Sequence, residues 1–369
     1  MPISNRQSES LLKSLIRFFY RQFCGFRIVF NRYRPSSNKI LLHYGGSFSG
    51  SVGGPLVKIQ RLSKYFPDHY FNFNLLYLLS NSPYLPHWSF SFAKQRNIPI
   101  IYNQNGVFYK AWYSGDWEFK NQLMSCAYFH ADYIFYQSEF CRKSAHHFLG
   151  ANSTPSEILY NAIDTDLFAP STHPKDTESP YTFLVTGKFS CHMFYRLEHT
   201  IIALKHALKE GLDCRLIIAG WLEKSLQDKL ISFIDSNSLT NHVVVYGTYT
   251  QSEAPLLYQQ ADAYIMLKHN DPCPNTVLEA LSCALPVVYS NTGGVPELVG
   301  PDCGVPLPCS SDWDVISVPS IQSISDGMIK VYSNHHFFSS NARSIALQRF
   351  TINHWIDRHR QVFRDLLHL

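Results

Sequence analysis

Between positions 263 and 300 the chain runs twice through the same series: an apolar run, a polar loop and a helical pattern. That alternation points to a doubly wound parallel sheet. Ala263–Leu267 is long enough for one buried strand. The polar loop Lys268–Cys273 ends in Pro274, and a helix is expected over Thr276–Cys283. Pro274 and the polar Asn275 and Thr276 are its start signals. Pro286–Tyr289 reads as a second buried strand, Thr292-Gly293-Gly294 as a second loop, and Pro296-Glu297 as the opening of a second helix. Ligands of such sheets bind outside the carboxyl ends of the strands, which here are the two polar loops.

These loops suit an anionic nucleotide. A helix N-terminus offers unsatisfied N–H groups and about half a positive charge, a ready phosphate site. Glu279 lies four residues after Asn275, on the same helix side. A carboxylate one turn below a phosphate site can accept hydrogen bonds from a ribose diol. Gly293 and Gly294 allow close backbone approach or a positive φ.

Asp271 and Glu279 are separated by seven residues within DPCPNTVLEALSCALPVV, followed by GGVPELV. This resembles the retaining glycosyltransferases of the family 4 type (glycosyl transferases group 1), whose signature is an acid, seven residues, then Glu. The resemblance implies the GT-B fold: two Rossmann-like doubly wound α/β domains facing a cleft, with a C-terminal helix crossing back to the first. It also implies transfer of a sugar from a nucleotide-diphosphate sugar to an acceptor hydroxyl, with retention and without a metal or other cofactor. Carried over residue by residue, Glu279 would bind the ribose and Asp271, one methylene shorter than the usual Glu, would contact the donor sugar. The amides of Asn275, Thr276 and Val277 would meet sugar and phosphate. Lys188, after Gly187, and Arg196, eight residues on, would neutralise the diphosphate as the leaving group gains charge. Lys268 would add charge, or else is a strand-end surface lysine. Family members commonly carry Gly where this chain has Ala284; a left-handed backbone there would cost about 1 kcal/mol.

The remaining chain divides around this unit. Residues 1–36 form a basic arm, and within Leu11–Arg34 six cations and no acid are interleaved with Leu, Ile and Phe. Two readings stand for it: an amphipathic segment on a membrane surface, or a helix packed on the protein's own body. The first domain is expected over 37–165. It opens with a strand at Lys39–His43, a glycine loop to Gly53-Gly54 and a helix whose inner face is Leu56, Ile59, Leu62 and Phe66. By the resemblance, Gly53 and Gly54 let backbone amides reach the donor diphosphate. After the strands Asn72–Leu79 and Pro99–Asn103, the family often places a His; here Asn103 and Asn105 stand instead. Amides can bind hydroxyls but cannot act as general bases. Trp112 is a candidate for stacking on an acceptor ring, or for simple packing. A Pro- and Ser-rich linker covers 166–180, the second domain 181–345, and the crossover helix 346–369.

With 369 residues, 45% hydrophobic, each domain can build a core. A net charge of +4 gives no ground for a nucleic-acid partner. Nine scattered cysteines without C-x-x-C or zinc spacing fit a reducing cytoplasm. No run of 18 uncharged apolar residues exists to span a membrane. The expectation is a cytoplasmic enzyme of polysaccharide or glycolipid assembly, peripheral to the inner face of the membrane, acting on a glycan or lipid-linked acceptor. The alternatives on the same fold are a nucleotide-sugar epimerase, a phosphorylase, or a nucleotide-sugar-binding partner that has lost transfer.

Overall fold

A computed structural model describes residues 11–33, 39–47, 49–50, 54–82, 85–172 and 178–369. The chain divides into two compact units, 1–160 with 356–369, and 161–355.

The first unit runs α1 (Leu11–Val29), β1 (Leu42–His43), α2 (Gly54–Ser63), β2 (Leu75–Leu79), α3 (His87–Gln95), β3 (Ile100–Gln104), α4 (Trp117–His130), β4 (Tyr133–Tyr136), α5 (Glu139–Phe148) and β5 (Ser156–Ile158). Its parallel sheet has the order β1-β2-β3-β4-β5. β2 and β3 are buried along their whole length, as strands covered on both faces must be. β1 is shorter than expected because a side chain replaces its ladder. Leu41 N–H donates to Asn74 Oδ1, and Asn74 Nδ2 donates to the Lys39 carbonyl, both at 2.8 Å. In α2 the buried residues include Val57, Lys58, Ile59 and Leu62, and Leu56 is turned outward, against expectation. α3 and α4 fall where no element was expected; Asp116 caps α4 by accepting from Phe119 N–H at 2.9 Å.

The second unit runs β6 (Tyr181–Phe189), α6 (Phe194–Lys209), β7 (Cys214–Leu222), α7 (Lys224–Ser236), β8 (Val243–Gly247), α8 (Ala254–Gln259), β9 (Ala263–Met266), α9 (Asn275–Ser282), β10 (Val287–Ser290), α10 (Val295–Val299), β11 (Gly304–Leu307), α11 (Ile321–Ser333) and α12 (His335–Arg349). Its parallel sheet has the order β11-β10-β9-β6-β7-β8. Phe183, Val185, Leu216, Ile218 and Ile265 pack with α6 and α11 into one core. Burying each such side chain is worth roughly 1.5–3 kcal/mol. β11 forms although it holds Pro306. It lies at the sheet edge, where proline's missing donor costs nothing.

The sequence Asn161-Ala162-Ile163-Asp164 belongs to the second unit. Asn161 Nδ2 donates to the Cys273 carbonyl at 2.9 Å, and Ile163 N–H to the Phe350 carbonyl at 2.7 Å. Arg343 adds bonds to the carbonyls of Thr165, Phe168 and Ser282. The last helix, α13 (Ile352–Leu367), returns to the first unit. There Phe363 packs on Phe66 and Tyr77, and buried His359 meets the Tyr77 hydroxyl at 3.0 Å. Arg358 Nε bonds both oxygens of Glu157.

Candidate active site

The second sheet changes direction between β6 and β9. The chain leaves β6 for β7 and β8 on one side, then returns to β9, β10 and β11 on the other. At such a switch point the connections diverge to opposite faces and open a crevice at the strands' carboxyl ends. Gly187 and Lys188 close β6, and Lys268 and Asp271 follow β9. The two groups of residues expected to act together therefore flank the reversal.

On the β6 side, Gly187 has φ +154°, and a Cβ there would stand 3.0 Å from Arg196 Nη1. The missing side chain lets the guanidinium lie against the strand. Arg196 is 4% exposed, donates to the Thr186 carbonyl at 3.1 Å and stacks 4.9 Å from the centre of the Phe189 ring. Its Nε is buried with no partner among the described residues. Between Lys188 and Arg196 the chain makes a short 3₁₀ turn, Cys191–Met193, leading into α6. Lys188 is exposed, with Nζ 4.8 Å from the centre of the Trp221 ring.

On the β9 side the loop is held from three directions. His269 N–H donates to the Tyr195 hydroxyl at 3.1 Å. His269 Nδ1 accepts from Ser317 N–H at 3.4 Å, so Nε2 carries the proton given to the Asp312 carbonyl at 2.8 Å. Asn270, in the left-handed region at φ +50°, donates from its backbone to Thr292 Oγ1 at 3.2 Å. Asp271 accepts from Lys268 Nζ at 2.7 Å on Oδ2 and from Cys273 N–H at 3.2 Å on Oδ1. Lys268 is thus a partner of the acid rather than an isolated surface lysine. Two of the carboxylate's roughly four acceptor positions are used, and the others can take hydroxyls. Gly293, at φ +68°, packs on this loop: a Cβ would lie 2.5 Å from the Asp271 carbonyl oxygen. Gly294 N–H donates to that same oxygen at 2.9 Å.

α9 starts behind Pro274 with no side-chain cap. Asn275 Oδ1 is buried with no partner among the described residues. The Val277 amide already donates to the Pro274 carbonyl at 3.2 Å, and its side chain is fully buried, so its contribution goes to the helix's first turn. Glu279 Oε2 accepts from the Tyr258 hydroxyl at 2.9 Å. Burial first, then the Glu279 charge, pushes Tyr258 well above the ordinary tyrosine range, so this hydroxyl stays a donor. Tyr249 is raised by the same two leading causes. The Thr186 hydroxyl lies 3.2 Å from Tyr258 and 2.9 Å from the Tyr264 hydroxyl. Tyr195, Tyr258, Tyr264 and Thr186 were missed in the sequence because each reads there as part of an apolar run or helix face.

Of the first-unit candidates, Gly53 lies outside the described residues. Gly54 opens α2, exposed, with no atom of the described residues within 4 Å of where its Cβ would be. Asn103 is buried and accepts from the equally buried Lys58 Nζ at 2.6 Å. Asn105 Oδ1 accepts from Gln137 Nε2 at 2.6 Å, while Asn105 Nδ2 and Gln104 Oε1 are buried without partners among the described residues. Trp112 donates to the Val107 carbonyl at 3.1 Å and stacks on Phe108, so one ring face is already covered. Among the described residues no three His, Cys, Asp or Glu side chains group as a metal site, and no helix is long and apolar enough to cross a membrane.

Two parallel α/β units, with the last helix returned to the first, make this a protein of the GT-B fold class. Anabaena HepE in complex with UDP is similar in structure: TM-score 0.67, 15% identity, 89% of this chain and 100% of that one. A sucrose-phosphate synthase from Thermosynechococcus elongatus gives a TM-score of 0.62 at 14% identity over 80% of this chain and 74% of that one. Residues 173–344, within the second unit, match the family model of glycosyl transferases group 1. In sequence, the Escherichia coli O-antigen chain mannosyltransferase B is 30% identical over 107 residues, which cover 29% of this chain and 26% of that protein.

Proposed function

We propose that the protein is a glycosyltransferase that moves a sugar from a nucleotide-diphosphate sugar to an acceptor hydroxyl, with retention and without a metal. The observation that carries this reading is the convergence at the β6/β9 switch point of Arg196, Asp271 and the start of α9, with Glu279 one turn in. Arg196 is the cation for the diphosphate, assisted by Lys188. The rigid guanidinium needs no reorganisation as leaving-group charge develops. Glu279, oriented by Tyr258, takes the ribose hydroxyls. Asp271 takes a donor-sugar hydroxyl on its remaining lone pairs, beside the amides of Asn275 and Thr276. The unpartnered Asn275 Oδ1 and Arg196 Nε support a polar ligand here. The donor phosphate itself would take the acceptor's proton.

In the first unit, Asn103, Asn105 and Trp112 are the candidates for acceptor contacts, and the Gly54 amide is a candidate for a phosphate contact. HepE was solved with UDP and with UDP-glucose, and the O-antigen relative transfers mannose. Donor trials therefore start with UDP-glucose and GDP-mannose, and the acceptor is sought among polysaccharide and lipid-linked glycans in the cytoplasm.

The test is thermal unfolding with UDP-, GDP-, ADP- and dTDP-sugars, on the parent and on Glu279→Ala. A donor at about 100 times Kd adds roughly 2.7 kcal/mol, a midpoint rise of a few degrees. One base should raise the midpoint and lose that effect in Glu279→Ala. A shift that survives the substitution would remove Glu279 from the ribose. No shift with any donor would count against a donor site in the second unit.

A further inference from the structure

α1 is fixed to the first unit by one face only. Cys24 and Ile28 are fully buried, the Tyr20 hydroxyl donates to the Gly46 carbonyl at 2.6 Å, and Gln22 Oε1 accepts from Trp88 Nε1 at 2.9 Å. Arg96 donates to the carbonyls of Ile28, Val29 and Asn31 and so closes the helix's C-terminal end. The opposite face is apolar and open: Leu15, Phe18, Phe19, Phe23, Phe26 and Phe30 are each about half exposed or more. At helical spacing these six fall on one side.

The face does not stop at the helix. Phe26 packs 5.4 Å from Trp88, which meets the exposed Phe92 at 5.9 Å. On the other flank the Arg27 guanidinium lies between Phe23, at 4.6 Å, and the exposed Tyr70, at 4.5 Å, beside exposed Phe71. Three segments thus build one aromatic surface with Arg27 in it. α1 carries Lys13, Arg17, Arg21 and Arg27 and no carboxylate, and Arg32 and Arg34 follow.

We propose that this surface docks on an anionic lipid bilayer, with the phenylalanines at the acyl boundary and the arginines at the headgroups. The charge selects this occupant. Pairing with a second copy would set acid-free, cationic helices face to face, whereas anionic headgroups complement them. The inference is independent of the proposed transfer reaction.

The test uses the full chain and vesicles of phosphatidylcholine, with and without phosphatidylglycerol. The parent should co-sediment with the anionic vesicles about tenfold or more better than with the neutral ones, and less so at high salt. The triple variant Phe18→Ser/Phe19→Ser/Phe23→Ser should keep the parent's circular dichroism and melting midpoint and lose binding. Arg17→Gln/Arg21→Gln should bind anionic vesicles about tenfold more weakly, which tests the idea even if the triple variant does not fold. Equal sedimentation of parent and folded triple variant would overturn the proposal. So would a parent that ignores anionic vesicles yet self-associates in ultracentrifugation through a contact the phenylalanine substitutions abolish; that result would assign the face to protein.

Discussion

In the first unit the sheet adds strands in one direction, β1 through β5; in the second it starts in the middle, at β6, and grows both ways. The difference decides what the strands' carboxyl ends hold. In the one-way sheet, polar side chains at the end of β3 pair with neighbouring elements, Asn103 with Lys58 and Asn105 with Gln137, while Asn105 Nδ2 and Gln104 Oε1 have no partner among the described residues. In the two-way sheet, the loops on either side of the reversal present a buried cation, a held carboxylate and an uncapped helix start. A parallel sheet supplies the scaffold in both, but the change of direction is what gathers opposite charges at one edge.

The sharpest way to break this comparison is a glycine in each unit. In Gly293→Ala the new methyl must displace the Asp271 backbone, and a shift near 1 Å at a reacting centre costs on the order of a hundredfold in turnover. Gly54→Ala meets no atom of the described residues, so its stability should change by no more than about 0.5 kcal/mol. A transfer assay and a melt on both variants check this; near-parental turnover in Gly293→Ala would sever the loop from the chemistry.

Next in size is Arg343→Ala, which strips partners from the Thr165, Phe168 and Ser282 carbonyls. The expected loss is about 2–3 kcal/mol in the second unit, seen in calorimetry as several degrees in its transition while the first unit's transition stays in place. A joint downward shift would mean that the two units melt as one.

Tyr258→Phe keeps the ring and removes the bond to Glu279. A hydrogen bond to a charged group is worth about 1.5 kcal/mol or more, so the donor KM should rise about tenfold with kcat little altered. An unchanged KM would show that Glu279 needs no orienting partner. The smallest effect is a gain. Ala284 has φ +61°, so Ala284→Gly should stabilise by about 1 kcal/mol, read as a midpoint rise of roughly 2–4 °C without change in activity.

What the sequence made legible follows from range. The strands, loops and helices of 263–300 appear within a residue or so of expectation, because each is coded by its own few residues. The left-handed backbone at Ala284 was legible as a condition, since only glycine is indifferent there. β11 was hidden by Pro306, whose meaning depends on lying at a sheet edge that no local pattern reports. The Thr186–Tyr258–Glu279 contacts were hidden for a stronger reason: three segments separated by tens of residues meet only once the sheet is wound. Leu56 shows the same limit on a smaller scale, since helical periodicity names a face but not which side of it meets the core.

The clamp on Asp271 has a consequence for redesign. Its carboxylate is already oriented by Lys268 and Cys273, and its backbone rests on Gly293 and Gly294. Lengthening the side chain by one methylene, as in Asp271→Glu, would not simply extend its reach; it would pull the acid off both local donors. On the proposed reading of the site, sugar preference would then belong to the loop rather than to the residue. A graft intended to change it should move 268–274 together with 290–294 as a single cassette.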